Sequence, residues 1–304
     1  MNTTLQPLVS IAVIAYNSAK YILETLESIK AQTYNHIELI ISDDCSTDNT
    51  ISLCQLWTKE NKDRFVNIKI VQSPINTGQS GNYNRAFDAC AGEWIKEIDG
   101  DDKLLPNCIA SFIKYTNIHP DAMYIFGKTH CFGGDAVLCQ KKEKYFEYSM
   151  FLRSPADQLH YLLYEGNFIP SIASFYNKEY ILSLGFRNDE RIPLIEDYPK
   201  WIRLLDLGVN FHFLDEYIAN YRINCGVSNT PISIAYRKSL FLVDLYYRYP
   251  HWLQDGDDSM LECMADNLLS IARDYERLKE THAYRLGKLL LAPFTWLKGI
   301  KPNK

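Results

Sequence analysis

The sequence predicts an α/β fold: a mostly parallel central sheet flanked by helices, followed by a helical C-terminal extension. Three observations carry that prediction. Over roughly the first 130 residues, short apolar runs of strand length alternate with segments of helical period. The acidic and amide-rich clusters of this region fall at the ends of the apolar runs. Beyond Tyr221-Arg222 the pattern turns helical.

Taken in order, Val9–Ala15 reads as a buried strand, and residues 19–32 then place Ile22, Leu26 and Ile29 on one helical face. Ile37–Ser42 is a second strand, with a helix over 50–62. Val66–Val71 is a third, with a helix over 82–91. Trp94–Ile98 is a fourth, and it runs into Asp99-Gly100-Asp101-Asp102 before a helix opening at Pro106, a residue suited to a first helical turn. Such a βαβα rhythm implies parallel strands covered by helices. From about Thr129 to Asp215 the pattern is irregular, with a strand at Ile172–Tyr176 and a helix at Tyr198–Leu207 that buries Trp201, Leu204 and Leu205. The final helical part repeats Met260, Met264, Leu268, Ile271, Tyr275 and Leu278 at spacings of three and four, a packing face. The expected division is 1–225 for the α/β domain and 226–304 for the helical extension.

Composition narrows the partners. The chain has 304 residues, 47% hydrophobic and 23% charged, which is ordinary for a globular protein. A formal charge of -5 argues against nucleic acid. The charge is uneven: Arg285, Lys288, Lys298, Lys301 and Lys304 stand in a final stretch without acids. Leu286, Leu289, Leu290, Phe294, Trp296, Leu297 and Ile300 lie among them, so the tail reads either as a peripheral membrane contact or as a helix packed on the body. The eight cysteines form no C-x-x-C pair and read as reduced thiols. With no charged, apolar leader and no long apolar window, the expectation is a cytoplasmic chain, peripheral at most on the inner face of the membrane.

The chemistry concentrates at Asp99-Gly100-Asp101-Asp102. Three carboxylates in four residues repel one another and need a cation or solvent. Hard divalent ions favour such oxygens and share them with phosphates. From the residues alone the cluster is either a metal–diphosphate site or an acidic, solvated turn. Ligands of open parallel sheets bind beyond the carboxyl ends of the strands. Tyr16-Asn17, Asp43-Asp44, Asn76-Thr77-Gly78 and the acidic cluster all fall at such ends.

Together, Val9–Asn17, Ile41–Asp48, Asn76–Gly78 and Gly92–Asp102 resemble the family 2 inverting glycosyltransferases of GT-A fold. The resemblance covers about residues 8–225. It implies a nucleotide-sugar donor, in most cases a UDP-sugar, with Mn²⁺ or Mg²⁺. Asp99 and Asp101 would be its D-x-D pair, Asp101 on the metal and Asp99 on the ribose or a metal-bound water. Gly100 between them is a tolerated departure. Asp43-Asp44 would read the uracil imide, with Tyr16 and Asn17 against the base. Asn76, Gly78 and Arg85 would border the diphosphate. Glu196-Asp197 resembles the acceptor-side E-D motif, with Asp197 as general base and Glu196 as its rival. Tyr221-Arg222 with Ser228 resembles a Y-R…S segment, in which Arg222 either reaches the diphosphate or makes a plain ion pair. No Q-x-x-R-W is present, so the expectation is transfer of one sugar to a hydroxyl of a glycan or lipid-linked oligosaccharide, within polysaccharide biosynthesis.

Other readings weigh less. A sugar-nucleotide pyrophosphorylase needs a Gly-rich, basic loop after the first strand, where Tyr16-Asn17 stands. A dinucleotide oxidoreductase needs G-x-G-x-x-G there. A calcium loop fails because Lys103-Leu104-Leu105 follows Asp102. An inactive nucleotide-sugar binding protein on the same fold remains, since fold does not fix function.

Overall fold

The computed structural model describes residues 6–223, 233–256 and 258–280. Its centre is one sheet in the order β3-β2-β1-β4-β7-β6-β8-β5. Strands β1 (Val9–Ala15), β2 (Ile37–Asp43), β3 (Asn67–Gln72) and β4 (Trp94–Asp99) pair in parallel, close to the boundaries that the apolar runs predict. Between them lie α1 (Ile22–Lys30), α2 (Thr50–Glu60) and α3 (Gly78–Ala89). Ile14 pairs with Asp99, Ala15 with Asp43, and Asp43 with Gln72, so this register sets four strand ends level along one edge.

The other half departs from the expected parallel pattern. β4 pairs antiparallel with β7 (Ser174–Asn177), β7 antiparallel with β6 (Tyr124–Phe132), and β6 parallel with β8 (Phe211–Arg222). A two-residue β5 (Lys103–Leu104), too short to leave a pattern in the sequence, closes the edge on β8. The sheet is therefore mixed. β6 and β8 hid in the region read as irregular because neither is a continuous apolar run. β8 also contains Asp215 and Glu216, which a bulge between Leu214 and Tyr217 leaves outside the pairing with β6.

Helices α4 (Cys108–Ile118), α5 (Ala136–Tyr145), α6 (Pro155–Tyr164), α7 (Lys178–Ser183) and α8 (Asp197–Asp206) cover this sheet. α4 opens two residues after Pro106, which lies outside the helix. α3 opens at Gly78, four residues before the expected start. The cause is remote: the Asp44 carboxylate accepts the N–H groups of Thr77 and Gly78, which a helix N-terminus otherwise leaves unpaired. α8 buries Trp201 and Leu204 completely, as its period predicts.

The chain divides into two compact units, Met1–Pro231 and Ile232–Lys304. The second holds α9 (Ile234–Val243), a π-turn at Asp244–Arg248, α10 (Tyr249–Asp255) and α11 (Asp258–Glu280). The stripe expected to pack on α11 is partly open, with Leu268 and Tyr275 both exposed. Among the described residues no helix is long and apolar enough to cross a membrane, and six cysteines are free thiols. Ser228 and the basic tail from Arg285 lie outside the described residues.

The parallel and antiparallel halves meet over an aromatic stack. Phe175, fully buried on β7, lies parallel to Trp94 at 5.1 Å and to Phe112 at 4.7 Å. Phe175→Ala should cost about 3–5 kcal/mol of unfolding free energy in urea titration. A loss under about 1 kcal/mol would show that this junction does not hold the two halves together.

Candidate active site

The strand-end loops lock onto one another through side chains. Asn17, in a left-handed conformation (φ 50°), donates its N–H to Ser46 Oγ at 2.8 Å and accepts the Thr47 N–H at 2.8 Å. Asp43 is fully buried and accepts both the N–H and the hydroxyl of Ser46. Asp44 reaches across to the next loop. It accepts the Gly78 N–H at 2.8 Å, the Thr77 hydroxyl at 2.6 Å and Arg85 Nη2 at 2.8 Å. Asn76 Oδ1 takes a further bond from the Gly78 N–H. Arg85, expected beside a diphosphate, thus has its guanidinium on Asp44, Thr77 and Asn82. Tyr16 stays half-exposed at the mouth, with 49% of its surface open.

The acidic turn is built tightly. The Gly100 N–H donates to Ile14 O at 2.9 Å, and a Cβ at this position would stand 2.8 Å from Ser18 Oγ. Glycine between the two aspartates is therefore what the close approach to the β1 loop requires. Tyr83 donates its hydroxyl to Asp99 Oδ1 at 2.9 Å. Burial, then the charge of Asp101, pushes the Asp99 carboxyl up to about 7. Asp102 is buried deeper. Its Oδ1 accepts the Arg222 N–H at 2.7 Å while its Oδ2 has no partner among the described residues, and burial with the charges of Asp101 and Asp99 holds it well above the usual carboxylate range.

Arg222 braces this turn. Its Nε donates to Asp101 O at 2.7 Å and its Nη2 to Glu24 at 2.9 Å. Its guanidinium lies 4.0 Å from the Tyr21 ring centre and 4.3 Å from that of Phe132. The side chain expected to reach a diphosphate is instead occupied in positioning the acidic turn from behind.

The acceptor-side motif opens α8. Asp197 Oδ2 accepts Asn167 Nδ2 at 2.8 Å, and Oδ1 accepts the Tyr198 N–H at 2.7 Å. Burial raises its carboxyl, opposed by these two donors and by Lys200. Glu196 is almost wholly buried, and burial with the charges of Asp197 and Asp99 drives it well above the usual range. The loop before α8 is fastened to α3. The Gln79 N–H donates to Pro193 O at 2.6 Å and the Ser80 hydroxyl to Ile192 O at 2.7 Å. Gly78 (φ +81°) lies so close that a Cβ would meet Pro193 Cβ at 2.6 Å. The loop fixed by Asp44 and the Glu196-Asp197 segment are thereby one mechanical piece. Sequence reasoning missed Asn167, Gln79 and Tyr83, whose partners are remote in the chain and carry no local pattern.

With that geometry in view, the comparisons decide the family. The family model described as "Glycosyl transferase family 2" matches residues 10–182. The chain belongs to glycosyl transferase family 2. It is a glycosyltransferase. The Bacillus subtilis protein TuaG, named for teichuronic acid biosynthesis, is 25% identical over 221 residues, 73% of this chain and 81% of its own. The Escherichia coli protein WfaP, named a UDP-Glc:alpha-D-GlcNAc-diphosphoundecaprenol beta-1,3-glucosyltransferase, is 27% identical over 222 residues, 72% of this chain and 78% of its own. Among solved structures, S. aureus TarS 1-349 in complex with UDP-GlcNAc matches with a TM-score of 0.61 at 20% identity, over 78% of this chain and 66% of that one. Its complex with UDP matches at 0.58, where this chain spans 64% of the solved chain. At this identity the TarS likeness shows the fold, the GT-A architecture of this family.

The buried acids set a pH dependence of stability. A carboxyl whose folded-state pKa lies above its unfolded value holds its proton better when folded. Its contribution is present at low pH and is lost as pH rises from about 4 through the folded value, about 7 for Asp99. Asp102, Glu196 and Asp197 act in the same direction. Without divalent metal, Tm should therefore fall between pH 5 and pH 7.5 in calorimetric scans. A flat or rising Tm over that window would contradict the crowding of these acids.

Proposed function

We propose that this glycosyltransferase moves a single sugar, with inversion, from a UDP-sugar to a hydroxyl of a glycan or lipid-linked acceptor. The observation that carries the reading is the nearness of two carboxylate sites. Asp197, on the acceptor-side motif, is among the charges that raise Asp99 on the acidic turn. A base and a donor site at that range can act on one anomeric carbon from opposite faces.

Asp197 is the base. Its carboxylate is held by Asn167 and by the Tyr198 N–H, and it takes the proton of the acceptor hydroxyl as that oxygen attacks. Glu196 is the weaker candidate because its deep burial favours the protonated acid at neutral pH. Attack opposite the leaving diphosphate inverts the configuration.

Asp99 and Asp101 would hold Mn²⁺ or Mg²⁺. The fit rests on the mutual repulsion that pushes Asp99 up to about 7, which a bound cation would relieve. Among the described residues no three Asp, Glu, His or Cys side chains form a ready cage, so diphosphate oxygens and water would complete the shell. When bound, such an ion neutralises charge on the departing diphosphate. Asp44, with Arg85 beside it, is the uracil-selecting carboxylate, and Asp43 is its alternative. Tyr16 covers the base, and Asn17, Asn76, Gly78 and Gly100 border the donor. The UDP and UDP-GlcNAc complexes of TarS and the UDP-Glc donor in WfaP's name support uridine. WfaP's named acceptor supports a lipid-linked one, and TuaG's name supports polysaccharide biosynthesis.

Asp197→Asn should lower kcat by about 10² to 10⁴ while leaving UDP affinity unchanged in calorimetry. Near-normal turnover in that variant, with an inactive Glu196→Gln, would move the base to Glu196.

A further inference from the structure

Glu97 and Lys200 form an ion pair at 3.0 Å in which neither side chain is more than 4% exposed. Glu97 lies on β4, two residues before Asp99. Lys200 lies on α8, three residues after Asp197. The pair therefore joins the strand of the acidic turn to the helix of the base. Tyr176 donates its hydroxyl to Glu97 Oε1 at 2.7 Å. The Lys200 ammonium stands 5.0 Å from the centre of the Tyr83 ring and 4.9 Å from that of Trp201. Tyr83 is the residue that bonds Asp99. Neither Glu97 nor Lys200 has a part in the donor site or in the proton transfer to Asp197.

A buried ion pair is a poor way to stabilise a core, because desolvation offsets the attraction and an apolar pair of like volume often does as well. Its place points to an electrostatic use. Helical neighbours at i+3 and i+4 share a face, so Lys200 lies on the face of both Asp197 and Glu196. The other groups around these two acids are polar or negative. Asp99 faces Glu196 from β4. Gln79, with its amide nitrogen turned inward from α3, donates to Glu196 Oε2 at 3.2 Å. Asn167, in the loop after α6, holds Asp197. α6 itself meets α8 through the Tyr198 hydroxyl on Leu162 O at 2.5 Å. Lys96, the other buried cation of β4, donates to the carbonyls of Glu97, Ile172 and Ser174. Among the described residues, Lys200 is the cation that opposes the upward shift of both Glu196 and Asp197.

We propose that Lys200 is a positioning residue for the acceptor-side base: anchored on Glu97, it keeps Asp197 a carboxylate at neutral pH, ready to take the acceptor's proton. The inference rests on Asp197 being the base, and it adds a residue that the E-D motif does not contain.

The test is the pH dependence of kcat for the full chain, compared among wild type, Lys200→Met, Lys200→Arg and the paired Glu97→Gln/Lys200→Met. In Lys200→Met the acid limb should move up by about one pH unit or more. The rate at pH 7 then falls about tenfold and recovers near pH 9, with UDP affinity unchanged. Lys200→Arg should keep the wild-type profile. The paired variant leaves no lone buried charge, so it folds even where the single variant does not, and its acid limb should move in the same direction. A rate lost equally at every pH, or a folded paired variant with an unmoved limb, overturns the proposal. Should Asp197→Asn prove inactive while the Lys200 profiles do not move, this inference fails alone. An active Asp197→Asn removes the base assignment and this inference with it.

Discussion

Crowded negative charge at one edge of the sheet is the constraint on which the rest of this structure depends. The register of β1, β2 and β4 brings Asp43, Asp44 and Asp99 level, and the following turn adds Asp101 and Asp102. The start of α8 adds Glu196 and Asp197. Such a concentration is unstable unless each carboxylate is paired, protonated or neutralised. The surrounding architecture can be understood as the response. Asp43 and Asp44 are consumed by backbone N–H groups, hydroxyls and Arg85. Arg222 supports the acidic turn, with Glu24, Tyr21 and Phe132 holding it in place. Lys200 and Asn167 serve the acceptor side. The Asp99 and Asp101 end is where a cation and a diphosphate would enter and relieve the repulsion that remains.

The core beneath carries charge of its own. Lys96 is completely buried, and burial lowers its ammonium to about 8 although backbone carbonyls surround it. Glu97 and Lys200 lie at similar depth. A strand reading Trp94-Ile95-Lys96-Glu97-Ile98-Asp99 therefore holds a donor-side carboxylate at its mouth and an ion-pair network behind it. That network connects β4, α3 and α8, so the donor and acceptor sides cannot shift independently.

Much of this was legible in the sequence, for a local reason. β1, β2 and β4 are continuous apolar runs, and their ends carry residues whose chemistry is visible without partners. The D-x-D and E-D pairs are contiguous. The illegible parts depend on distance. β6 and β8 vary in exposure along their length and pair across a long intervening stretch of chain, with Asp215-Glu216 breaking the pattern at a bulge. Asn167 meets Asp197, and Gln79 meets Glu196, through loops that no spacing connects. Arg222 looked like a phosphate ligand because its neighbours in space, Glu24 and the Asp101 carbonyl, are 198 and 121 residues away.

The claim that this edge is a cation-dependent uridine diphosphate site has a direct test. Calorimetric titration of the full chain with UDP, in Mn²⁺ and in EDTA, measures whether the charge at Asp99 and Asp101 must be neutralised before a diphosphate can bind. The account predicts binding in Mn²⁺ that is tighter for UDP than for CDP and is lost, or weakened at least about tenfold, in EDTA. Equal affinity with and without the metal, or preference for CDP, would contradict it.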